Sequence, residues 1–295
     1  MTTTIQNRDF GMTTRIILTW SLLLFVYLAF VGVLMYFEVH MTFIFIIMFI
    51  MGFAQYFFSD KLVLMSTKTK IVDETEAPEL HRMIEKICAD AGIPKPRIGI
   101  MPSPMANAFA TGRSPKHAVV AVTEPLMHVL NKDELEAVLA HEIAHIKNRD
   151  ILTMTIASFT AMVASVIMRI FLFQSLGNSG RGGAPLILIG IVAGIVWAIS
   201  TILMLALSRY REYAADRGSA YLTNNPKALI SALTKISSTM STVPSQKREE
   251  VEGANMFYII PAISGKSIMD LFATHPPLEK RIANLENIIV EQRGY

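Results

Sequence analysis

Four long apolar runs, each near the roughly 20 residues a helix needs to cross a bilayer, set the layout of the chain. Ile16–Phe37 carries no charge, and Met41–Phe58 follows after only Glu38-Val39-His40, so the two predict a tight membrane hairpin. Ile151–Phe173 is interrupted by Arg169 alone, near its far end, where a long side chain can reach the interface. Pro185–Leu207 is uncharged. Arg8 and Arg15 precede the first run as they would in a secretory signal. Its 22 residues and the lack of a small-residue cleavage site argue for an anchor instead.

Between and after the runs, shorter periodic stretches predict a mixed soluble part. Leu80, Met83, Ile84, Ile87 and Cys88 have helical spacing within Thr75–Ala91, and Gly92 is placed to end that helix. Pro94 and Pro96 favour an extended approach to a strand at Arg97–Met101. Asn107–Thr111 and His117–Thr123 are two further strand candidates, separated by a turn at Gly112–Lys116. Thr123 caps a helix with Pro125 in its first turn, and a second helix starts from Asn131 or Asp133. Helix resumes after the fourth run up to Asn224-Asn225-Pro226, and again through Thr239. Thr242–Gly253 reads as a polar loop, and Pro276–Ile289 as a last helix burying Leu278, Ile282 and Leu285. The expected fold is mainly α with a small β-sheet, joined to four transmembrane helices in two hairpins.

Composition agrees with a membrane protein: 52% of residues are hydrophobic, and the mean hydropathy is +0.42. A net charge of +3 gives no reason to expect a nucleic-acid partner. Cys88 is the single cysteine, which excludes an intramolecular disulfide and any cysteine-rich zinc site. Charge also orients the runs. Lys61, Lys68 and Lys70 follow the second, Lys147 and Arg149 precede the third, and Arg209 and Arg211 follow the fourth. The loop at 38–40 has no lysine or arginine, and 174–184 has only Arg181. The positive-inside rule then places both termini and residues 59–150 in the cytoplasm. The expected division is a membrane hairpin at 1–58, a first cytoplasmic part at 59–150, a second hairpin at 151–207 and a second cytoplasmic part at 208–295.

The chemistry is concentrated at His141-Glu142-Ile143-Ala144-His145. Residues four apart share one helix face, about 6 Å apart, so both imidazoles can reach one metal ion. Glu142 lies between them, where its carboxylate can take a proton from a water on that metal. This is the spacing of zinc proteases. A catalytic zinc usually has three protein ligands. If the third and fourth runs form a hairpin, the chain returns to the histidines at Arg209-Tyr210-Arg211-Glu212-Tyr213-Ala214-Ala215-Asp216. Glu212 and Asp216 are one turn apart, so one can bind zinc while the other accepts the free N–H of a ligand histidine. His40, His81, His117 and His128 have no partner at ligand spacing.

Asn107-Ala108-Phe109-Ala110-Thr111-Gly112, His141–His145, Glu212–Asp216 and Thr274-His275-Pro276-Pro277, in that order among paired apolar runs, resemble the HtpX branch of integral-membrane zinc proteases, relatives of the CAAX prenyl proteases. The resemblance implies a gluzincin-type zincin domain, one Zn2+ per chain, Glu212 as the third ligand and Asp216 as the partner of a ligand histidine. It also implies an edge strand at Asn107, Ala108, Phe109 and Ala110 that binds substrate by strand addition, although the sequence alone reads Asn107–Gly112 equally well as a surface loop. His275 is implied to contact substrate or the developing oxyanion, although a histidine fixed at a helix start by Pro276 and Pro277 fits equally. The family's usual serine before the second histidine is Ala144 here.

The expected function is a zinc endopeptidase of the cell membrane that cleaves misfolded membrane proteins and unfolded polypeptides at the cytoplasmic face. A processing protease for lipidated C termini is the nearest alternative, and four spans are few to enclose a lipid-accessible chamber. A transporter or metal-binding scaffold would call for polar groups within the spans, where Arg169 is the one charge.

Overall fold

A computed structural model describes residues 10–39, 41–177, 183–242 and 275–293. His40, Arg181, the loop after Thr242 and Thr274 lie outside the described residues. The chain divides into two compact units, Met1–Phe53 with Met154–Tyr210, and Ala54–Thr153 with Arg211–Tyr295.

The first unit is built from α1 (Phe10–Tyr36), the start of α2 (Met41–Ser66), most of α6 (Asp150–Gly177) and the first part of α7 (Gly183–Thr223). Phe30 and Leu34 of α1, Ile44 of α2, Ala164 and Ile167 of α6 and Ala193 of α7 pack into one apolar cluster. Phe25, Phe49 and Phe173 point outward at 69%, 74% and 75% exposure. In water such a surface would be costly, so it marks lipid-facing helices. Three described helices are long and apolar enough to cross a membrane, and four if α2, bent by 59° between Ile44–Phe58 and Asp60–Ser66, counts as one span.

Each of these helices runs past at least one end of its apolar run. Intramembrane backbone groups must be satisfied internally, but nothing requires a helix to stop at the interface. Thus α1 begins at Phe10 rather than Ile16, and α7 runs for 41 residues, about 60 Å at 1.5 Å per residue. That is about twice the hydrocarbon thickness of a bilayer. The apolar run ends at Leu207 and the helix continues to Thr223, so Glu212 and Asp216 belong to the same unbroken helix as the fourth apolar run.

The second unit contains a four-stranded sheet of order β1-β2-β4-β3. These strands are β1 (Lys70–Val72), β2 (Arg97–Met101), β3 (Ala108–Thr111) and β4 (Val119–Thr123). β2 and β4 are parallel, while β1 and β3 run antiparallel to their neighbours. β1 has only three residues, too short for alternation along the sequence to reveal it. β3 starts at Ala108 rather than Asn107 because Thr123 pins Asn107: its Oγ1 accepts from the Asn107 N–H at 2.9 Å, and its N–H donates to the Asn107 carbonyl at 3.0 Å. Pro115–His117 forms a short 3-10 turn, which delays β4 to Val119.

The helices of this unit are α3 (Pro78–Ala91), α4 (Glu124–Val129), α5 (Lys132–Lys147), α8 (Pro226–Thr242) and α9 (Leu278–Arg293), together with the end of α7. Helix α3 starts at Pro78, not Thr75, because Asp73 Oδ1 accepts from the N–H groups of Thr75 and Glu76 and holds 73–76 in a turn. Gly92, at φ 70°, ends it in the left-handed conformation that costs glycine little. Ile84, Ile98, Val120, Leu139, Ile143, Leu229, Leu233 and Leu285 form a single core between sheet and helices. Burying each of these larger side chains stabilises the fold by about 1.5–3 kcal/mol. On α9 the buried residues are Arg281, Leu285 and Ile288, a stripe rotated from the expected Leu278, Ile282 and Leu285. A charged residue, Arg281, thus occupies the buried stripe with Leu285 and Ile288.

Candidate metal centre

Helix α5 carries the two histidines, and its position is fixed from its first turn. Asn131 Oδ1 accepts from the Glu134 N–H at 2.9 Å, and Glu134 Oε2 accepts from the Asn131 N–H at 2.9 Å, a reciprocal cap. Glu134 is buried and also receives Ser231 Oγ at 2.7 Å and Lys235 Nζ at 2.8 Å from α8. Those contacts hold its carboxyl below the usual 4.5: burial opposes ionisation, and the hydrogen bonds from Lys235, Ser231 and Asn131 outweigh it.

Further along, α5 lies against α7. Ser219 Oγ donates to the Ala137 carbonyl at 2.6 Å, and Gly218 faces Ala144 closely enough that a Cβ on Gly218 would sit 2.6 Å from the Ala144 Cβ. This approach brings Glu212 to the histidines. His141 Nε2 and His145 Nε2 are 3.2 Å apart. Glu212 Oε1 lies 3.4 Å from His145 Nε2, and Oε2 lies 3.7 Å from His141 Nε2.

The three residues present ligand atoms within 4.8 Å of one another, the metal-type grouping found among the described residues. A tetrahedral zinc with ligands at about 2.0–2.2 Å separates them by about 3.3 Å, so the spacing fits. The buried Glu212 Oε2 makes no hydrogen bond, another sign that the pocket suits a cation. Burial disfavours the His145 imidazolium, yet the Asp150 and Glu212 carboxylates push its pKa up to about 10.

Around this trio stand residues of two kinds. Asp216, also on α7, places Oδ1 3.0 Å from His141 Nδ1. Arg281 of α9, 1% exposed, donates through Nε and Nη2 to the two Asp216 oxygens at 2.9 and 2.6 Å. It also approaches Glu212 Oε2 at 3.6 Å. Burial works against the Arg281 charge, but Asp216 and Glu212 more than compensate and raise its pKa. On the other side, Asp150 Oδ2 lies 2.6 Å from His145 Nδ1, and Asp150 Oδ1 lies 3.1 Å from Arg211 Nε.

Arg281 and Asp150 were not singled out from sequence. Arg281 falls at helical spacing with Leu285 and Ile288, a charge on an apolar stripe that could have flagged it. Asp150 is separated from the metal helix by a break at Asn148-Arg149, with Arg149 at φ 54°, and no spacing rule reaches across such a turn.

The other expected site residues fall as follows. Glu142 is buried on α5 between the histidines. Ala108 and Phe109 are buried in β3, Ala110 is half-buried, and Asn107 is fully buried just before the strand. β3 is an outer strand of the sheet and packs beside α5. His275 Nδ1 comes within 3.0 Å of Glu212 Oε2, and neither ring nitrogen is hydrogen-bonded. His81 and His117 are occupied elsewhere, with the Val72 carbonyl at 3.2 Å and Ser114 Oγ at 2.9 Å.

Two histidines one turn apart and a glutamate from a second helix, in a chain with several membrane-length helices, define a metalloprotease-type centre. Comparison with known proteins agrees. The family model for peptidase family M48 matches residues 74–289, and the chain belongs to that family. It is 50% identical over 286 residues to "Protease HtpX homolog 2" of Methanosarcina mazei, covering 96% of this chain and 97% of that protein. It is 49% identical to "Protease HtpX homolog" of Moorella thermoacetica, over 95% of each. Among solved structures, S. mikatae Ste24p shares the fold with a TM-score of 0.55 at 18% identity, over 88% of this chain and 62% of that one. The protein is thus a multi-pass membrane metalloprotease.

Proposed function

We propose that the chain is a zinc endopeptidase that cleaves membrane proteins and unfolded polypeptides at the cytoplasmic face of the cell membrane, as part of protein quality control. The observation that carries this is the convergence of His141 Nε2, His145 Nε2 and Glu212 at zinc spacing on helices adjoining apolar, membrane-length segments. His141, His145 and Glu212 would hold the ion. When bound, zinc supplies a Lewis acid for the scissile carbonyl and a nucleophilic water at neutral pH.

The chain's own residues do the rest. Glu142 takes the proton of the attacking water and delivers it to the leaving amine. Asp216 orients His141 through Nδ1, and Arg281 holds Asp216 in place. His275, half-buried with Nδ1 beside Glu212, is placed to hydrogen-bond substrate or the oxyanion through Nε2. The outer edge of β3, at Ala108–Thr111, offers backbone groups to an extended peptide. Strand addition of this kind gives affinity with little side-chain selection, which suits diverse substrates.

Two hairpins, at 1–58 and 151–207, would place the catalytic parts at 59–150 and 208–295 in the cytoplasm, following the lysines and arginines that flank the apolar runs. The test is incubation of detergent-solubilised enzyme and zinc with a denatured membrane protein, followed by mass-spectrometric mapping of the cuts. Cleavage at many sites in its cytoplasmic segments supports the quality-control reading. Cleavage restricted to a lipidated C terminus would replace it with a processing protease.

A further inference from the structure

Each of the two histidines is backed by its own aspartate, and each aspartate by its own arginine. His141, Asp216 and Arg281 form one such series, and His145, Asp150 and Arg211 form the other. We propose that Asp150 is the positioning residue of His145: it accepts the Nδ1 proton, fixes the tautomer that leaves the Nε2 lone pair facing the metal, and is itself steered by Arg211. The inference rests on the reading of His145 as a metal ligand.

The geometry favours this role over a surface ion pair. Asp150 is 4% exposed; one oxygen hydrogen-bonds His145 Nδ1 at 2.6 Å, and the other forms an ion pair with Arg211 Nε at 3.1 Å without an aligned hydrogen bond. Turning this buried carboxylate away from either neighbour would leave a charge without its partner, which is costly. The backbone is shaped for the contact. After Asn148 closes α5, Arg149 takes φ 54°, a conformation that costs a side-chain-bearing residue about 1 kcal/mol or more. One residue later the chain re-enters a helix with Asp150 as its first residue. In a continuous helix, residues five apart point about 140° away from each other; the break brings Asp150 back under His145. Arg211 directly precedes Glu212 on α7, so the same aspartate joins the helix bearing two ligands to the helix bearing the third.

Outer partners of this kind typically contribute about 10–100-fold in metal affinity. Zinc affinity of the full-length detergent-solubilised enzyme, measured by competition with a chromogenic chelator, tests the role independently of proteolysis. Asp150→Asn keeps the volume and one acceptor oxygen but loses the charge that aligns it with both partners, and Asp150→Ala removes the group. The expected result is a loss of roughly tenfold for Asp150→Asn and a larger loss for Asp150→Ala, with the helical circular dichroism of the metal-free protein unchanged. Arg211→Gln should lower affinity by less than Asp150→Ala. Wild-type affinity in both Asp150 variants, with binding lost in His145→Ala, would overturn the assignment and leave the metal reading standing. Wild-type affinity in His145→Ala would overturn both. A loss in Asp150→Asn accompanied by loss of helical signal would assign Asp150 to folding instead.

Discussion

Gly218 on α7 approaches Ala144 on α5 so closely that a Cβ added to the glycine would lie 2.6 Å from the alanine Cβ. Ala144 adjoins the ligand His145, and Gly218 lies two residues beyond Asp216, so this contact sets the distance across which the metal site closes. Gly218→Ala gains up to about 1 kcal/mol of helix propensity, yet overpacking here costs about 1–3 kcal/mol. Lower zinc affinity and a lower unfolding temperature are expected. The double variant Gly218→Ala with Ala144→Gly removes the clash and should recover much of the zinc affinity. A single variant with wild-type affinity would show that the two helices can separate without disturbing the ligands.

Arg281 supplies the cation between two buried carboxylates. Arg281→Met leaves Asp216 and Glu212 without it, and breaking a buried pair in this way costs about 3–5 kcal/mol. Arg281→Lys keeps the charge but cannot reproduce the two-point contact with Asp216, so an intermediate loss is expected. Thermal unfolding of the three proteins in one detergent checks the order wild type, lysine, methionine. A methionine variant as stable as wild type would mean that the carboxylates find another counter-charge.

Glu212 and Asp216 are one turn apart, but their surroundings differ. Glu212 faces Nε2 of both histidines, whereas Asp216 faces His141 Nδ1 and Arg281. Glu212→Ala is therefore expected to lose more zinc affinity than Asp216→Ala, the latter falling about 10–100-fold. Metal-competition titration gives the order, and the reverse order would exchange the two roles.

Away from the metal, Glu134 gives a pH signature. Its folded carboxyl titrates below the 4.5 of the free group, so its contribution to stability is fully present above that value and fades as pH falls through the lower folded value. Glu134→Gln should be less stable than wild type at about pH 7, with the gap narrowing below about pH 4. Unfolding temperatures of both proteins across that range are the check. A gap that stays constant would mean that Glu134 contributes through packing alone.

Much of this was legible in the sequence because it rests on local rules. The apolar runs, the cap at Thr123, strand β2 and the four-residue histidine spacing all follow from short-range patterns. Glu212 and Asp216 could be brought to the histidines by connectivity, since α7 returns as the extension of an apolar run. What escaped depends on tertiary placement. The three-residue β1 is defined by pairing with β2, Asn107 is held out of β3 by Thr123, and Arg281 is buried by carboxylates more than sixty residues away in sequence. Asp150 reaches His145 only through the left-handed turn at Arg149.

The most direct test of the account is Glu142→Gln, read by zinc content and proteolysis together. The substitution keeps His141, His145 and Glu212 and removes the group that accepts the water's proton. The expected protein binds about one zinc per chain, as the wild type should, and cleaves no substrate. A Glu142→Gln enzyme that retained wild-type cleavage would contradict the proposed mechanism.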